Sequence, residues 1–462
     1  MTPPHPDPYN NVLDTVGWTP LIRLNRVVAA LATPVYGKAE FFNPGGSVKD
    51  RIGAAIIEDA ERRGDLAPGG TIVEGTSGNT GIALAMAATL KGYRCIFTMP
   101  DKMSSEKVRL LKAFGADVII TPTAVPPDHP DNYVMKAKAI VKSTPNSILA
   151  NQFYNEANVE AHYRTTGPEL WEQTHGRISH LTGSAGTGGT LSGAGRYLKE
   201  KNPDIRVIAG DPAGSIYGEY GRTQRLGEGH PYKVEGIGGD KIPATLHYDV
   251  VDEFRTVSDR DAFQMARRLT REEGLFVGGS AGMNVFVALQ VAREIDDPDA
   301  CVVAILCDTG ERYLSKLFND EWMRSNQMIE SDRVTAEQLL AAKPESAPHL
   351  VTVEPSHTVR QALNLMGTYN VSQLPIVESG DCIGSLSEGS LMAQAVAAPD
   401  VLDKSVHEVM EAPYPVVDGE FPLEDFSRLL SRETPAVLIR EDGELSGIVT
   451  RYDVLHQMAG IS

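Results

Sequence analysis

The chain has few cysteines, few aromatic residues and no excess of positive charge. It contains 462 residues, of which four are cysteines and only 6% are Phe, Trp or Tyr. No two cysteines form a C-x-x-C pair, which argues against a zinc site or a thioredoxin-like redox site, so we expect no bound metal. Cys95, Cys301 and Cys307 lie in apolar runs that predict buried strands. This placement is typical of structural thiols and fits a reducing compartment.

Positive charge is scarce, with 43 Lys and Arg residues against 61 Asp and Glu residues and a formal net charge of −18. This balance argues against a nucleic-acid-binding surface and against attraction to anionic membranes. No apolar run approaches the length of a membrane span. The first eight residues, Met1–Pro8, are proline-rich and lack a basic segment followed by an apolar stretch, so we expect no signal peptide. A cytoplasmic protein without nucleic-acid or membrane partners is therefore predicted.

Short apolar runs alternate with helical patterns from about Val35 to Phe318. They include predicted strands at Val35–Ala39 and Thr71–Glu74 and predicted helices at Ser47–Gly64 and Ile82–Lys91. Continuous apolar strands between amphipathic helices predict an α/β fold with parallel sheets covered on both faces.

A polar, helix-breaking segment, Ala341–Pro348, marks a boundary. Beyond it the chain shows a weak repeat of strand, helix, two strands and closing helix, whose two small units should pack on each other. The first unit begins with a predicted strand at Val351–Val353, and the second contains a predicted helix at Leu423–Ser431. We divide the chain into a large domain at 1–330, a linker at 331–345 and small domains at 346–400 and 401–462.

One lysine differs from the others in its surroundings. Lys49 lies in the segment Asn43–Arg51, where a Gly-Gly turn presents it at the start of a predicted helix. A desolvated amine next to a helix N-terminus has a lowered pKa and can act as nucleophile and base. Such an amine suits a Schiff base with the aldehyde of pyridoxal phosphate. A solvated helix lysine is the ordinary alternative, so the residues that accompany Lys49 decide between the two.

Three glycine- and hydroxyl-rich turns follow Lys49, namely Gly75–Gly81, Gly186–Thr190 and Gly278–Gly282. The second turn lies between a predicted strand and a helix, so its backbone N–H groups and the helix dipole predict a phosphate site. The hydroxyls of Thr187 and Thr190 add further donors.

The other two turns fit the remaining parts of the cofactor and its substrate. A neutral hydroxyl at Ser280 can face the pyridine nitrogen, which favours elimination and replacement at the β-carbon over transamination. Hydroxyls and amides in Thr76–Thr80 can hold an α-carboxylate, and Asn79 can donate to the cofactor's ring oxygen. Simple helix capping is the alternative in both turns. The order in which the four motifs occur together favours pyridoxal phosphate.

A dinucleotide site is a second interpretation of the same glycines. Gly183–Gly188 follows a predicted strand, and Asp211 comes about one βα unit later, as in an NAD-binding fingerprint. An NAD-dependent oxidoreductase therefore stays open, although it leaves Lys49 and Ser280 without roles. A Walker phosphate loop is excluded, because no lysine follows the glycines.

Taken together, these motifs resemble the fold-type II pyridoxal-phosphate family that includes cysteine synthases and cystathionine β-synthases. The matching stretches are Gly17–Leu21, Asn43–Arg51, Thr76–Gly81, Gly186–Thr190, Glu235–Gly238 and Gly278–Gly282. The resemblance implies an α/β fold of two αβα subdomains with parallel-rich sheets, and a cofactor imine at Lys49. Implied cofactor contacts are Asn79, Gly186, Thr187, Gly188, Gly189, Thr190 and Ser280. Implied contacts of the substrate carboxylate are Thr76, Ser77, Thr80 and Gln152.

The resemblance implies a β-replacement in transsulfuration, in which L-serine or an activated serine and L-homocysteine give L-cystathionine. An O-acetylserine-dependent cysteine synthase and a threonine or serine dehydratase share the fold and stay open. Gly239 stands where some serine-using relatives carry a larger polar residue, which leaves serine and O-acetylserine as alternative first substrates. Animal members bind haem through an N-terminal Cys and His. Here His5 has no accompanying Cys, so we expect no haem.

The C-terminal repeat, from about Lys343 to Ser462, resembles a pair of CBS domains, which cysteine synthases usually lack. Its second unit carries a G-x-x-T-x-x-D pattern in which Thr450 and Asp453 are candidates for binding the ribose of an adenosyl ligand. S-adenosylmethionine is expected ahead of AMP or ATP, and helix capping by Thr450 is the alternative. The first unit has Ser387 but no matching Asp. We expect the module to regulate activity and the protein to form a homodimer or larger homo-oligomer. A non-enzymatic energy sensor would leave most of the chain unused.

Overall fold

The computed structural model describes residues 8–458 apart from residues 77, 102–104, 123–124, 127, 330–333 and 344–347. His5 and Ser77 therefore lie outside the described residues. The chain divides into two compact units, Met1–Glu330 and Ser331–Ser462. Among the helices that are described, none has both the length and the apolar composition that crossing a membrane requires.

The first unit is built on two sheets. The six-stranded sheet has the strand order β1-β2-β10-β7-β8-β9, and β1 alone is antiparallel to its neighbour. The four-stranded sheet has the order β5-β4-β3-β6 and is parallel throughout. The strands are β1 Leu21–Arg23, β2 Val35–Ala39, β3 Thr71–Gly75, β4 Arg94–Pro100, β5 Asp117–Thr121, β6 Ser147–Leu149, β7 His180–Ser184, β8 Arg206–Pro212, β9 Glu253–Val257 and β10 Val302–Leu306.

Helices connect these strands. They are α1 Asp50–Arg63, α2 Asn79–Lys91, α3 Ser105–Ala113, α4 Tyr133–Ser143, α5 Ala157–Arg164, α6 Thr166–Gln173, α7 Gly189–Lys201, α8 Tyr217–Thr223, α9 Asp259–Glu273, α10 Gly279–Ile295 and α11 Asp320–Ser325. Strand β10 is buried along its whole length, and apolar residues of α10 pack on it in the core of the six-stranded sheet. A separate core joins α1 and α2 to the four-stranded sheet. The predicted α/β class, with parallel-rich sheets in two subdomains, is confirmed.

Some helix boundaries differ from the predicted ones for local reasons. Helix α1 begins at Asp50 rather than Ser47, because Ser47 pairs with Asp308 in a β-bridge. Helix α2 begins at Asn79 rather than Ile82, because the last residues of the preceding polar segment, Asn79–Gly81, already have a helical conformation. The predicted β-strands at Val35–Ala39 and Thr71–Glu74 lie where expected.

The second unit contains two similar halves. In one, the antiparallel pair β11 Gln373–Glu378 and β12 Asp381–Ser387 accompanies α13 Val359–Tyr369 and α14 Glu388–Ala397. In the other, β13 Val416–Asp418, β14 Ala436–Glu441 and β15 Glu444–Thr450 form a sheet beside α15 Phe426–Leu429 and α16 Arg451–Met458. Helix α12, Ala336–Ala341, precedes both halves and packs in the core of the second. Ser385 and Tyr414 lie where the halves meet, so the two halves of the repeat pack on each other as predicted.

Two elements of the repeat are shorter than the sequence predicts. The predicted strand at Val351–Val353 is a single parallel bridge between Val353 and Ile376. The predicted helix at Leu423–Ser431 is a 3₁₀ turn followed by the short α15, which ends at Leu429. The hydroxyl of Ser431 accepts the backbone N–H groups of Glu433 and Thr434. This local turn competes with continuation of the helix.

A buried ion-pair network joins elements of the first unit. Arg51 on α1 binds Glu40 through two contacts of 2.7 Å and Glu169 on α6 through contacts of 2.7 and 2.8 Å. Lys38 on β2 donates to Glu169 at 2.6 Å and to the carbonyl of Thr19 at 2.8 Å. All four charged side chains are fully buried. Burial alone would raise the pKa of Glu40, but the adjacent Arg51 outweighs it and lowers the pKa to about 2.

We predict that Glu169→Gln will destabilise the first unit by about 3–5 kcal/mol, because two buried cations would then share one carboxylate. All three tryptophans, Trp18, Trp171 and Trp322, lie in this unit. Urea unfolding followed by tryptophan fluorescence therefore measures the change.

Asp117→Asn is the matched control. Asp117 pairs with Arg94 at 3.2 Å, but the two side chains are 65% and 69% exposed. Removing this pair should change stability by less than about 1 kcal/mol. Equal losses in the two variants would show that the buried network is not a special stabilising feature.

Candidate active site

The predicted cofactor residues lie at the carboxyl ends of parallel strands of the first unit. Lys49 precedes α1, Asn79 begins α2 after β3, and Gly186–Thr190 joins β7 to α7. Ser280 lies in the first turn of α10. Ligands of open α/β sheets bind at such strand ends, where loops from several strands meet.

Lys49 is half-buried and lies beside the segment after β10. The backbone N–H of Val48 donates to the carbonyl of Cys307 at 2.8 Å, which fixes the lysine next to Cys307 and Asp308. Burial lowers the pKa of Lys49, although the nearby Cys307 and Asp308 oppose this change. Among the described residues, no hydrogen bond or ion pair engages the ammonium group of Lys49. An unengaged amine with a lowered pKa is suited to nucleophilic attack and proton transfer.

Asp308 is buried at this edge of the sheet and binds several other residues of the site. Its Oδ2 accepts hydrogen bonds from Asn79 Nδ2 and from the hydroxyl of Tyr313, both at 2.7 Å. Its Oδ1 is buried and has no hydrogen-bond partner among the described residues. Arg312 donates to Asn79 Oδ1 and to the carbonyl of Gly45. Asn79 is thereby held by both ends of its amide, with one N–H left for a ligand.

Sequence reasoning missed Asp308 and Arg312. The sequence offers one signal for Asp308, which is an acidic residue soon after a fully apolar strand.

Ser280 lies against Cys307, on the same segment that flanks Lys49. Burial raises the pKa of the Cys307 thiol to about 11, and contacts with Ser280 and Asn284 partly oppose the rise. Asn284 donates to Cys307 Sγ at 3.4 Å. The thiol is therefore protonated near neutral pH. The structure thus brings Lys49, Asn79 and Ser280 together around the Cys307–Asp308 segment.

The Gly186–Thr190 loop has the form of an anion cradle. Gly188 has a φ of +83°, a left-handed conformation that favours glycine, and a Cβ at Gly186 would overlap the carbonyl oxygen of Gly236. Within the described chain, the backbone N–H groups of Gly186, Thr187 and Gly188 donate to no protein group. They lie at the N-terminus of α7, where the helix dipole favours an anion. This loop fits the phosphate of pyridoxal phosphate.

Two residues of α5 hold the hydroxyls of this loop. Asn158 Nδ2 donates to Thr187 Oγ1 at 2.9 Å, and His162 Nε2 lies 3.1 Å from Thr190 Oγ1. Neither residue was predicted from the sequence, because both lie on a helix without any motif.

The predicted substrate residues form a second cluster beside the first. Thr80 on α2 donates to Gln152 Oε1 at 2.6 Å, and Thr76 is buried at the end of β3. The carbonyl of Gln152 accepts from Asn158, which also binds Thr187 and so links this cluster to the phosphate loop. Ser77 lies outside the described residues.

The buried carboxyl group of Glu74 stabilises this cluster through hydrogen bonds to the backbone. Glu74 accepts the backbone N–H groups of Asn151 and Gln152 at 2.7 and 3.3 Å. Burial raises the pKa of Glu74 to about 7, although these two hydrogen bonds oppose the rise. Glu74 therefore orders the turn that carries Gln152.

Asp211 does not have the surroundings that a dinucleotide site requires. It is buried, and its Oδ2 accepts the backbone N–H of Gly218 at 2.8 Å. This bond places Asp211 at the start of α8, where it satisfies a free helix N–H. The geometry therefore gives Asp211 a structural role and weakens the NAD interpretation.

Glu235 joins segments from different parts of the first unit. It forms ion pairs with Lys107 on α3 and with Lys316. Gly238 then donates to the carbonyl of Ala185 at 2.7 Å, directly before the phosphate loop. The matched stretch Glu235–Gly238 thus ties α3 to this loop.

In the second unit, Thr450 and Asp453 lie together at the start of α16. Asp453 Oδ2 accepts from the backbone N–H and from the hydroxyl of Thr450, both at 2.7 Å. Lys343 lies 3.2 Å from the same oxygen and donates to the carbonyl of Ile448 at 2.7 Å. The two predicted ribose ligands therefore also form a helix cap.

The described residues show no cluster of three or more His, Cys, Asp or Glu side chains able to hold a metal ion.

Comparison with known proteins gives this geometry a family. The model of the family described as pyridoxal-phosphate dependent enzyme matches residues 12–308, and that of the CBS domain matches residues 346–396 and 406–460. The cystathionine β-synthase of Dictyostelium discoideum is 39% identical over 96% of this chain and 91% of its own. That of Oryctolagus cuniculus is 38% identical over 97% of this chain and 85% of its own.

Solved structures agree with this placement. The crystal structure of an O-ureido-L-serine synthase matches with a TM-score of 0.62 and 38% identity, covering 69% of this chain and all of that one. A hydrogen sulfide-producing enzyme from Fusobacterium nucleatum matches with a TM-score of 0.62 and 35% identity, covering 66% of this chain and all of that one. The chain belongs to the pyridoxal-phosphate-dependent enzymes of the cystathionine β-synthase family, and it carries a pair of CBS domains.

Proposed function

We propose that this enzyme catalyses a β-replacement that joins L-serine, or an activated serine, to L-homocysteine and releases L-cystathionine. The observation that carries the proposal is the Lys49 amine beside Asp308, in the same unit as a loop, Gly186–Thr190, whose first three backbone N–H groups donate to no protein group among the described residues. Relatives named cystathionine β-synthase, at 37–39% identity over nearly the whole chain, support the choice of reaction. The cofactor, when bound, supplies an electron sink for the negative charge that develops at the substrate Cα.

The protein residues divide the remaining tasks. Lys49 would hold the cofactor and move the Cα proton, since its lowered pKa leaves an amine able to accept it. Thr76, Thr80 and Gln152 would bind the substrate carboxylate with donors fixed by their mutual contacts. Burial of these groups excludes water and strengthens each electrostatic contact with the reacting molecule. Asn79 and Ser280 would position the cofactor ring.

Position 239 bears on the first substrate. A Cβ at Gly239 would lie 2.5 Å from the hydroxyl oxygen of Tyr217. Tyr217 therefore occupies the space that a larger side chain at position 239 would need. Its hydroxyl donates to the carbonyl of Gly186 at 3.1 Å. A polar group is thus present at this place although residue 239 is glycine. We therefore keep serine ahead of O-acetylserine.

The second unit is included in the proposal as a regulatory module. Thr450 and Asp453 would bind the ribose of S-adenosylmethionine or of an adenine nucleotide. We also propose a homodimer or larger homo-oligomer, because two-unit CBS modules commonly pair. Four free thiols fit the proposed cytoplasmic location.

We predict that Lys49→Met will lower turnover by about 10²–10⁴-fold, because the amine that transfers the proton is lost. Borohydride treatment followed by peptide mass analysis should find the cofactor attached at Lys49 in the unsubstituted enzyme. Lys112→Met, a change at an exposed residue of α3, should leave both readouts unaltered. Cofactor attached at another lysine would contradict the assignment.

We also predict that serine with homocysteine will give the largest kcat/KM among four substrate pairs. The pairs combine serine or O-acetylserine with homocysteine or sulfide, and the products are separated by chromatography. A clear preference for O-acetylserine with sulfide would replace the proposal with a cysteine synthase. Keto acid as the main product would indicate a dehydratase.

For the regulatory module we predict that Asp453→Asn will weaken S-adenosylmethionine binding by about tenfold or more. A carboxylate bonded to two ribose hydroxyls loses charge-assisted hydrogen bonds on this change. Calorimetric titration of the full chain measures the dissociation constant. Asp442→Asn, in an exposed turn of the same half, is the control. An unchanged constant at Asp453→Asn would leave Thr450 and Asp453 as a helix cap alone.

A further inference from the structure

Two polar residues of α5 face the hydroxyls of the phosphate loop. Asn158 and His162 are four residues apart and so share one face of the helix. Both side chains are fully buried. One contacts Thr187 and the other contacts Thr190, which are the two hydroxyl residues of the loop. Side chains of α5 therefore determine the direction in which these two hydroxyl protons point.

The hydroxyl of Thr187 has its lone pairs occupied. Its oxygen accepts from Asn158 Nδ2 at 2.9 Å and from the backbone N–H of Gly189 at 3.4 Å. A hydroxyl has two lone pairs and one proton. The O–H of Thr187 is what is left to bind a ligand.

The direction of the hydrogen bond between Thr190 and His162 depends on which ring nitrogen of His162 carries a proton. Burial lowers the pKa of His162 well below its usual value, and the charges of Arg51 and Lys49 act in the same direction. The ring is therefore neutral and carries one N–H. A proton on Nε2 makes His162 the donor to Thr190, which frees the threonine proton. A proton on Nδ1 would reverse this bond and turn the lone pairs of Thr190 towards the loop.

A phosphate at the loop decides between these two forms of the ring. Its oxygens accept hydrogen bonds, so it is compatible with the Nε2–H form and disfavours the other. The hydroxyl of Thr166 lies 2.8 Å from His162 Nδ1 and can donate to that nitrogen in the Nε2–H form.

We propose that Asn158 and His162 are positioning residues that turn the protons of the two loop hydroxyls towards the cofactor phosphate. Thr166 is the hydrogen-bond partner of the other ring nitrogen, His162 Nδ1. This inference rests on the proposed assignment of Gly186–Thr190 as the phosphate site.

The test compares His162→Leu with His162→Gln in the full chain. Leucine removes the donor to Thr190, whereas the glutamine amide can supply a donor in its place. We expect affinity for pyridoxal phosphate to fall about tenfold in His162→Leu and less in His162→Gln, measured by rebinding of the cofactor to enzyme from which it was removed. Nitrogen-15 NMR of histidine-labelled holoenzyme, with His162→Gln used to assign the signal, reports the ring form directly.

Thr165→Val is the matched control, because the hydroxyl of Thr165 donates to the carbonyl of Ala161 at 2.7 Å and does not contact His162. It should leave the affinity and the ring form unchanged. The inference is overturned if the unsubstituted holoenzyme shows Nδ1–H at His162, or if His162→Leu and Thr165→Val behave alike.

Thr190→Val separates this inference from the site assignment. A loss of cofactor affinity in Thr190→Val without a loss in His162→Leu would overturn the role of His162 and leave the phosphate site in place. Unchanged affinity in Thr190→Val would remove Thr190 from the phosphate site itself, and the inference would fail with it.

Discussion

The site depends on the charge balance around Arg51. Two buried cations and two buried anions, contributed by β2, α1, α6 and the 3₁₀ turn after β2, satisfy one another with contacts of 2.6–2.8 Å. Removing any one of them would leave an uncompensated charge in the interior, which is far more costly than the intact set. Because Arg51 lies two residues after Lys49, this requirement fixes the start of α1 against the six-stranded sheet. The amine of Lys49 is thereby placed by electrostatics as well as by the glycine turn that precedes it.

The sequence predicted the elements well wherever one periodicity governed a segment. Apolar runs such as Val302–Leu306 became buried parallel strands, and the glycine turns lie at strand ends as expected. The ion network was not predictable, because Arg51 and Glu169 are 118 residues apart and Glu169 lies outside every motif. The same holds for Asp308, His162 and Asn158, whose importance comes from what they contact in space. In the repeat, Leu423–Ser431 was predicted too long because periodicity does not register the competing turn at Ser431.

The polar groups of the site are held in layers. Asn79 is fixed by Asp308 and Arg312, Thr187 by Asn158, and Gln152 by Glu74 and Thr80. These three groups therefore have their orientations set before a ligand arrives. Catalysis by fixed dipoles requires this, since donors that must reorganise during reaction lose much of their effect. The recognisable motifs supply the inner layer, and residues outside the motifs supply its support.

Helix capping and ligand binding need not be alternatives at the same residues. Thr450 and Asp453 form a cap at α16, and the bonds of that cap bring a hydroxyl and a carboxylate into one place. Lys343, from the end of the segment that precedes the repeat, pairs with the same carboxylate. A ribose that bound Asp453 would have to share it with Lys343 or displace it.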